Sequence, residues 1–79
     1  MDERLCALLA DVFNLRAAEI IPELSKADVG VWDSLKQMDL VMSLEREYNI
    51  MLEIQDIVRM TSVRAIIEVL QEKGVRLGN

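Results

Sequence analysis

Histidine is absent from the 79 residues, and cysteine occurs once, as Cys6. Without histidine the chain has no His general base, no Ser-His-Asp or Cys-His arrangement and no His-ligated metal. A single cysteine can form neither an internal disulfide nor a Cys-rich zinc site, and it suits a reducing compartment. We therefore expect no catalytic residues and no metal site, so the protein is not predicted to be an enzyme.

Long hydrophobic runs are also missing. The longest run of hydrophobic residues, Leu5 to Ala10, is far shorter than the roughly 20 residues of a membrane span. The first residues include the acids Asp2 and Glu3 rather than the basic start of a signal peptide. These features predict a cytoplasmic protein that does not insert into membranes.

Acidic residues outnumber basic ones by fourteen to nine, which gives a net charge of −5. Nucleic-acid binding depends on clusters of Lys and Arg, so we expect no nucleic-acid partner and instead partners with basic patches. Hydrophobic residues make up 52% of the chain, enough for a core. The length suits one domain over residues 1–79, and we expect a monomer.

Helical spacing of apolar residues predicts a first helix over residues 3–14. Residues 15–32 contain the only proline, Pro22, and a turn-rich stretch from Ser25 to Gly30. This segment also carries Leu15, Ile20, Ile21 and Leu24, which are too apolar for a free linker. It is therefore predicted to be a long ordered loop pinned to the core, with one helical turn near Pro22.

A second helix is predicted from Ser34 to about Tyr48. Either Asp33 or Ser34 suits the N-cap position, and Ser34 with Gln37 has the spacing of a capping box. The helix carries two apolar faces, although a single core needs only one. One face comprises Leu40, Val41, Leu44 and Tyr48, and the other comprises Leu35, Met38 and Met42.

Two further helices complete the predicted fold. Ile54, Ile57, Val58 and Met60 indicate a short third helix. Thr61 or Ser62 can cap a fourth, in which Val63, Ile66, Ile67 and Leu70 repeat at helical spacing. Gly74 is expected to end this helix, and residues 75–79 are expected to fray.

Asp33-Ser34-Leu35 lies between the long loop and an acidic, apolar helix. In this position, with this order of helices around it, the motif resembles the modification site of acyl carrier proteins. The resemblance covers nearly the whole chain. It implies an all-α fold: a small four-helix bundle of acyl-carrier type, with a long loop between the first and second helices and a short third helix.

The same resemblance implies a carrier function. A phosphopantetheinyl transferase would move 4′-phosphopantetheine from coenzyme A onto Ser34, and the arm would hold acyl or related cargo as a thioester. Acyl- or aminoacyl-loading enzymes and acyl-processing enzymes with basic docking patches are the implied partners. The positions that match the family's docking surface are Asp33, Leu35, Asp39, Met42 and Glu45, with Met38 alongside.

Departures from the family pattern affect the expected pathway. Val31 stands where many relatives have glycine, and Lys36 stands where fatty-acid carriers often have an acid. The acidity is concentrated before the second helix rather than along it. We therefore expect a specialised pathway, polyketide-like or using a modified acyl unit, rather than housekeeping fatty-acid synthesis.

Three alternatives remain open from the sequence. The protein could carry an aminoacyl or D-alanyl group. It could also be a non-catalytic helical interaction domain in which Ser34 is only a helix cap. Trp32, just before the motif, could anchor the loop or shelter the arm, and anchoring is favoured because an exposed Trp without a partner is uncommon.

Overall fold

The computed structural model describes residues 1–78, which form a bundle of four α-helices. These are α1 (Glu3–Phe13), α2 (Ser34–Tyr48), α3 (Ile54–Arg59) and α4 (Val63–Glu72). The predicted all-α fold, with its long loop before α2 and its short third helix, is confirmed. Among the described residues no helix is both long enough and apolar enough to cross a bilayer.

Side-chain caps begin three of the helices. Asp2 caps α1, Asp33 caps α2 and Ser62 caps α4, each through a side-chain oxygen that accepts a backbone N–H three residues further on. The predicted capping box between Ser34 and Gln37 is wrong. Asp33 supplies the cap, and the Gln37 side chain is buried. Ser34 is therefore the first residue inside the helix.

Residues with positive φ angles end the long helices. Asn14 follows α1 with a φ of 57°, and Asn49 follows α2 with a φ of 53°. Gly74 follows α4 with a φ of 88°, and the N–H of Val75 donates to the Leu70 carbonyl at 3.0 Å. This is the Schellman arrangement, in which a left-handed residue lets the chain bond back to the last turn. The expected stop at Gly74 is confirmed.

The core lies between the four helices and is closed by the loop. α1 packs against α2, and α3 packs against α4. The largest fully buried side chains of the core come from α1, α2 and α4, and from Met60, which follows α3. They are Leu5, Leu9, Phe13, Leu40, Leu44, Met60, Val63, Ile66, Val69 and Leu70.

The loop between α1 and α2 is ordered and carries two short 3-10 turns. These turns, Ala17–Glu19 and Lys26–Asp28, flank Pro22 rather than coinciding with it, so the prediction of one turn near Pro22 is corrected. Ile20 and Val29 are buried and hold the loop on the core.

Backbone hydrogen bonds fasten this loop to the start of α4. The Val63 N–H donates to the Leu24 carbonyl at 2.9 Å, and the Arg64 N–H donates to the Pro22 carbonyl at 3.0 Å. The first N–H groups of a helix have no partner within the helix, so the loop satisfies them here. Each segment thus fixes the other.

The chain after α4 returns to the bundle. Residues 75–79 were expected to fray, but Val75 and Leu77 pack against the core. The Gly78 N–H donates to the Asp2 carboxylate at 2.6 Å, which joins the two ends of the described chain. The last residue of the predicted segment lies outside the described residues.

Candidate functional site

Ser34 occupies an exposed position at the N-terminus of α2. The Asp33 carboxylate accepts the Lys36 N–H at 2.9 Å, so the Ser34 hydroxyl is not needed for capping. The positive end of the helix dipole lies at this residue and favours an attached or bound anion. An enzyme can therefore reach the hydroxyl, and the helix end suits a phosphodiester.

Trp32 anchors the chain as it enters α2. Its side chain is only 3% exposed, and its ring lies 4.3 Å from that of Phe13, measured between centroids. Its indole N–H donates to the Gln37 side-chain oxygen at 2.6 Å. These contacts support the anchoring interpretation, and they place a rigid aromatic residue two positions before Ser34.

Gln37 is a buried polar residue whose contacts the sequence did not predict. Its side-chain nitrogen donates to the carbonyls of Ile57 at 2.9 Å and Met60 at 3.1 Å. A signal was available, because Gln37 lies three residues before Leu40 and four before Val41. That helical spacing places it on the core-facing side of α2.

Of the two apolar faces of α2, one is buried in the core and the other is exposed to solvent. Leu40 and Leu44 are fully buried, whereas Leu35 is 83% exposed and Met42 is 59% exposed. Met38 is half exposed beside them. The Leu35–Met38–Met42 face is therefore an apolar surface open to solvent next to Ser34.

The acidic candidates for docking have different surroundings. The Asp39 carboxylate lies 3.6 Å from the Lys36 ammonium, and both groups are partly exposed. The Glu45 carboxylate accepts the Leu52 N–H at 2.9 Å and so holds the connection between α2 and α3. The carboxylates of Asp33 and Glu45 thus each accept a backbone N–H. Among the described residues, Asp39 is the one predicted docking acid whose carboxylate accepts no backbone N–H.

Exposed apolar residues on α3 extend the surface beyond the predicted candidates. Ile54 and Val58 are both largely exposed, as is Met51 just before the helix. The apolar spacing that predicted α3 grouped Ile54 and Val58 with Met60, which is fully buried. The four-residue spacing of Ile54 and Val58 shows that they share a face, but spacing alone cannot show whether that face points to solvent.

An open groove lies beside Ser34, between α2 and α3. Its volume is about 390 Å³, and its lining includes Ser34, Gln37, Met38, Ile57 and Val58. Lys26 and Thr61 complete the lining. Met38, Ile57 and Val58 supply its apolar wall, so the groove can receive an apolar group attached near Ser34. Residues 1–78 contain no cluster of side chains suited to holding a metal ion.

Ion pairs hold α3 against α4. Lys73 lies 2.9 Å from Asp56, and the two terminal nitrogens of Arg59 donate to Glu72 at 2.7 and 2.9 Å. The hydrogen bond from Lys73 lowers the pKa of Asp56, and the same contact raises the pKa of Lys73. The wall of the groove that α3 supplies is thus fastened to α4 by paired charges.

Comparison with known proteins defines the class to which this fold and site belong. A family model described as a phosphopantetheine attachment site matches residues 3–70. An acyl carrier protein of Thermosynechococcus vestitus is 25% identical over 71 residues, which cover 90% of this chain and 88% of the relative. The solution structure of a holo acyl carrier protein from Geobacter metallireducens has a TM-score of 0.79 at 27% identity, covering 90% of this chain and 82% of its own.

The chain belongs to the acyl carrier protein family, as the sequence resemblance implied. The prosthetic group of this family is 4′-phosphopantetheine. Members of the family are carriers rather than catalysts. They work with a phosphopantetheinyl transferase and with acyl-processing enzymes in general.

Proposed function

We propose that this protein carries acyl or related intermediates as thioesters on a 4′-phosphopantetheine arm attached to Ser34. The observation that carries the proposal is the position of Ser34, exposed at the first residue of α2 while Asp33 makes the cap. The hydroxyl is thus accessible and free of a capping role. When bound, the group supplies a terminal thiol that holds the cargo.

The residues around Ser34 fit an attached phosphodiester and its arm. The positive end of the α2 dipole favours the phosphodiester anion. The apolar walls of the neighbouring groove, from Met38, Ile57 and Val58, suit the less polar parts of the arm or cargo. This chain's contribution is to hold the arm at a rigid helix end and present it to partner enzymes.

Docking to those enzymes is proposed for the exposed side of α2. Leu35, Met38 and Met42 supply apolar contacts, and Asp39 supplies a charge that can meet a basic patch on a partner. Asp33 and Glu45 belong to the proposed surface at its two ends, where each also makes an internal hydrogen bond.

A specialised pathway is proposed in preference to housekeeping fatty-acid synthesis. Lys36 lies beside the site and pairs with Asp39, so this part of α2 is less acidic than in fatty-acid carriers. The test is malonyl loading by a malonyltransferase of fatty-acid synthesis. Loading at the rate of a fatty-acid carrier would contradict the proposal, and loading with an amino acid by a cognate ligase would favour the aminoacyl or D-alanyl alternative.

Phosphopantetheinylation tests the central proposal directly. The protein is incubated with coenzyme A, magnesium and a broad-specificity phosphopantetheinyl transferase, and its intact mass is measured. We expect a gain of one phosphopantetheine for the wild type and for Ser43→Ala, a control that removes a serine further along α2. Ser34→Ala should gain nothing and should stay folded, because an exposed residue that makes no cap changes stability by only about 0.5 kcal/mol.

Two results would reject the assignment. An unmodified wild type would favour a helical interaction domain that has no arm. A mass gain retained by Ser34→Ala would place the attachment elsewhere.

A further inference from the structure

The buried amide of Gln37 has one orientation that satisfies its neighbours. Its oxygen accepts from the Trp32 indole, which can only donate, and its nitrogen donates to the carbonyls of Ile57 and Met60, which can only accept. A reversed amide would set donor against donor and acceptor against acceptor. Because buried polar groups left unpaired are costly, these contacts fix the side chain.

Through this amide, three segments meet at the first turn of α2. Trp32 belongs to the loop and lies two residues before Ser34, while the Ile57 and Met60 carbonyls belong to the C-terminal end of α3. The Ile57 carbonyl also accepts the Met60 N–H at 3.2 Å, and Met60 is the C-cap residue of α3. Gln37 therefore supplies a further donor to the end of α3 from a neighbouring helix. Gln37 also lies in the lining of the groove beside Ser34.

We propose that Gln37 is a positioning residue for Ser34. By holding Trp32 on one side and the end of α3 on the other, it fixes the direction in which the Ser34 hydroxyl is presented and the shape of the adjoining groove. Its amide is committed to Trp32, Ile57 and Met60, so it acts through these contacts rather than on the reacting atoms. The inference rests on the proposed attachment at Ser34, and it adds a residue that acts on the rate of that attachment.

The test is the steady-state kinetics of phosphopantetheinylation with coenzyme A as substrate. Gln37→Met keeps the length of the side chain and removes its hydrogen bonds. Val69→Ala is the matched control, because it destabilises the core from α4 at a fully buried position outside the groove. Both are assayed at a temperature where circular dichroism shows them folded.

We expect kcat for Gln37→Met to fall on the order of tenfold, because a misplaced reacting group lowers the rate even when binding is retained. Val69→Ala should keep the wild-type kcat. Equal rates for the two variants would overturn the inference while leaving the carrier function intact. A wild type that gains no mass would instead reject the carrier function itself.

Trp32→Phe provides a second, independent measurement. It removes the indole N–H and retains an aromatic ring against Phe13. If both residues act through one contact, Trp32→Phe also slows modification, and the double variant is slowed less than the product of the two single effects. Multiplying effects would overturn the inference. If Gln37→Met does not fold, a wild-type rate of modification for Trp32→Phe would overturn the inference instead.

Discussion

At the scale of single residues, Met42 and Leu44 show that the two faces of α2 have different roles. They lie two positions apart, yet Leu44 is fully buried and Met42 is 59% exposed. An α-helix turns about 100° per residue, so positions two apart point to nearly opposite sides. One side of the helix therefore stabilises the bundle and the other is available to a partner.

Replacing each residue by alanine should separate these two roles. Leu44→Ala should cost about 2–5 kcal/mol in the free energy of unfolding, because it leaves a cavity in the core. Met42→Ala should leave the thermal midpoint nearly unchanged, since its side chain packs against little in the free protein. It should nevertheless slow transfer to or from partner enzymes, where the methionine would become buried.

Thermal melts followed by circular dichroism, together with a phosphopantetheinylation time course, measure both effects. A midpoint for Met42→Ala as low as that for Leu44→Ala would show that both faces belong to the core, and the proposed docking surface would then be wrong.

Helical spacing predicted the residues on each face of α2, but not the contacts of Gln37. A pattern of apolar residues shows which positions share a side of a helix. The partners of Gln37 on α3, however, lie 20 and 23 residues further along the chain. Their pairing depends on how α3 packs against α2, which no local pattern specifies. The capping box predicted between Ser34 and Gln37 was wrong for the same reason, because the Gln37 side chain turns to these distant partners instead.

At the scale of elements, α3 depends on contacts made by its neighbours. It has six residues, and isolated helices of that length are not stable in water. The Gln37 side chain donates to the Ile57 carbonyl of α3, and Asp56 and Arg59 pair with charges at the end of α4. The apolar spacing predicted a short helix here, but that spacing does not show that charges fasten the helix to α4.

The ion pair between Asp56 and Lys73 predicts a specific response to acid. The pKa of Asp56 is lowered in the folded state, chiefly by the hydrogen bond from Lys73. A lowered carboxyl pKa stabilises the fold at neutral pH, and that contribution is lost as the pH falls through the folded-state value, below the ordinary 3.8. The contribution of Lys73, whose pKa is raised, is retained at neutral pH and lost only as the pH rises through a value above 10.5.

Asp56→Asn should therefore lower stability at neutral pH and flatten the dependence of stability on pH in the acid range, as the pH falls through and below the ordinary carboxyl value of 3.8. Urea unfolding at a series of pH values measures this dependence. The control is Asp11→Asn, which removes an exposed carboxylate from α1 and should retain the wild-type slope. Parallel curves for Asp56→Asn and the wild type would show that the pair adds nothing to the acid response.

At the scale of the whole molecule, the two ends of the described chain meet. Asp2 caps α1 through one carboxylate oxygen and accepts the Gly78 N–H through the other. Val75 and Leu77 cover part of the core between α4 and this contact. The sequence predicted the order of the helices but not this return, because a short terminal segment after a helix stop is usually frayed.

Removing residues 75–79 should destabilise the bundle by about 2 kcal/mol, since two partly buried apolar side chains are lost. Chemical denaturation measures the change. Modification of Ser34 should be retained, because the deleted residues do not contribute to the groove. Unchanged stability would mean that the tail contributes nothing to the core that it covers.

The hydrogen bonds between the loop and α4 also have a consequence for folding. Pro22 and Leu24 are joined to Arg64 and Val63 across about 40 residues of chain, and contacts so distant in sequence form late because closing the intervening loop costs entropy. During synthesis, the segment that leads to Ser34 lacks these contacts until the start of α4 has left the ribosome. We therefore expect Ser34 to reach its final setting only after the start of α4 has been made, which would delay its modification until that point in translation.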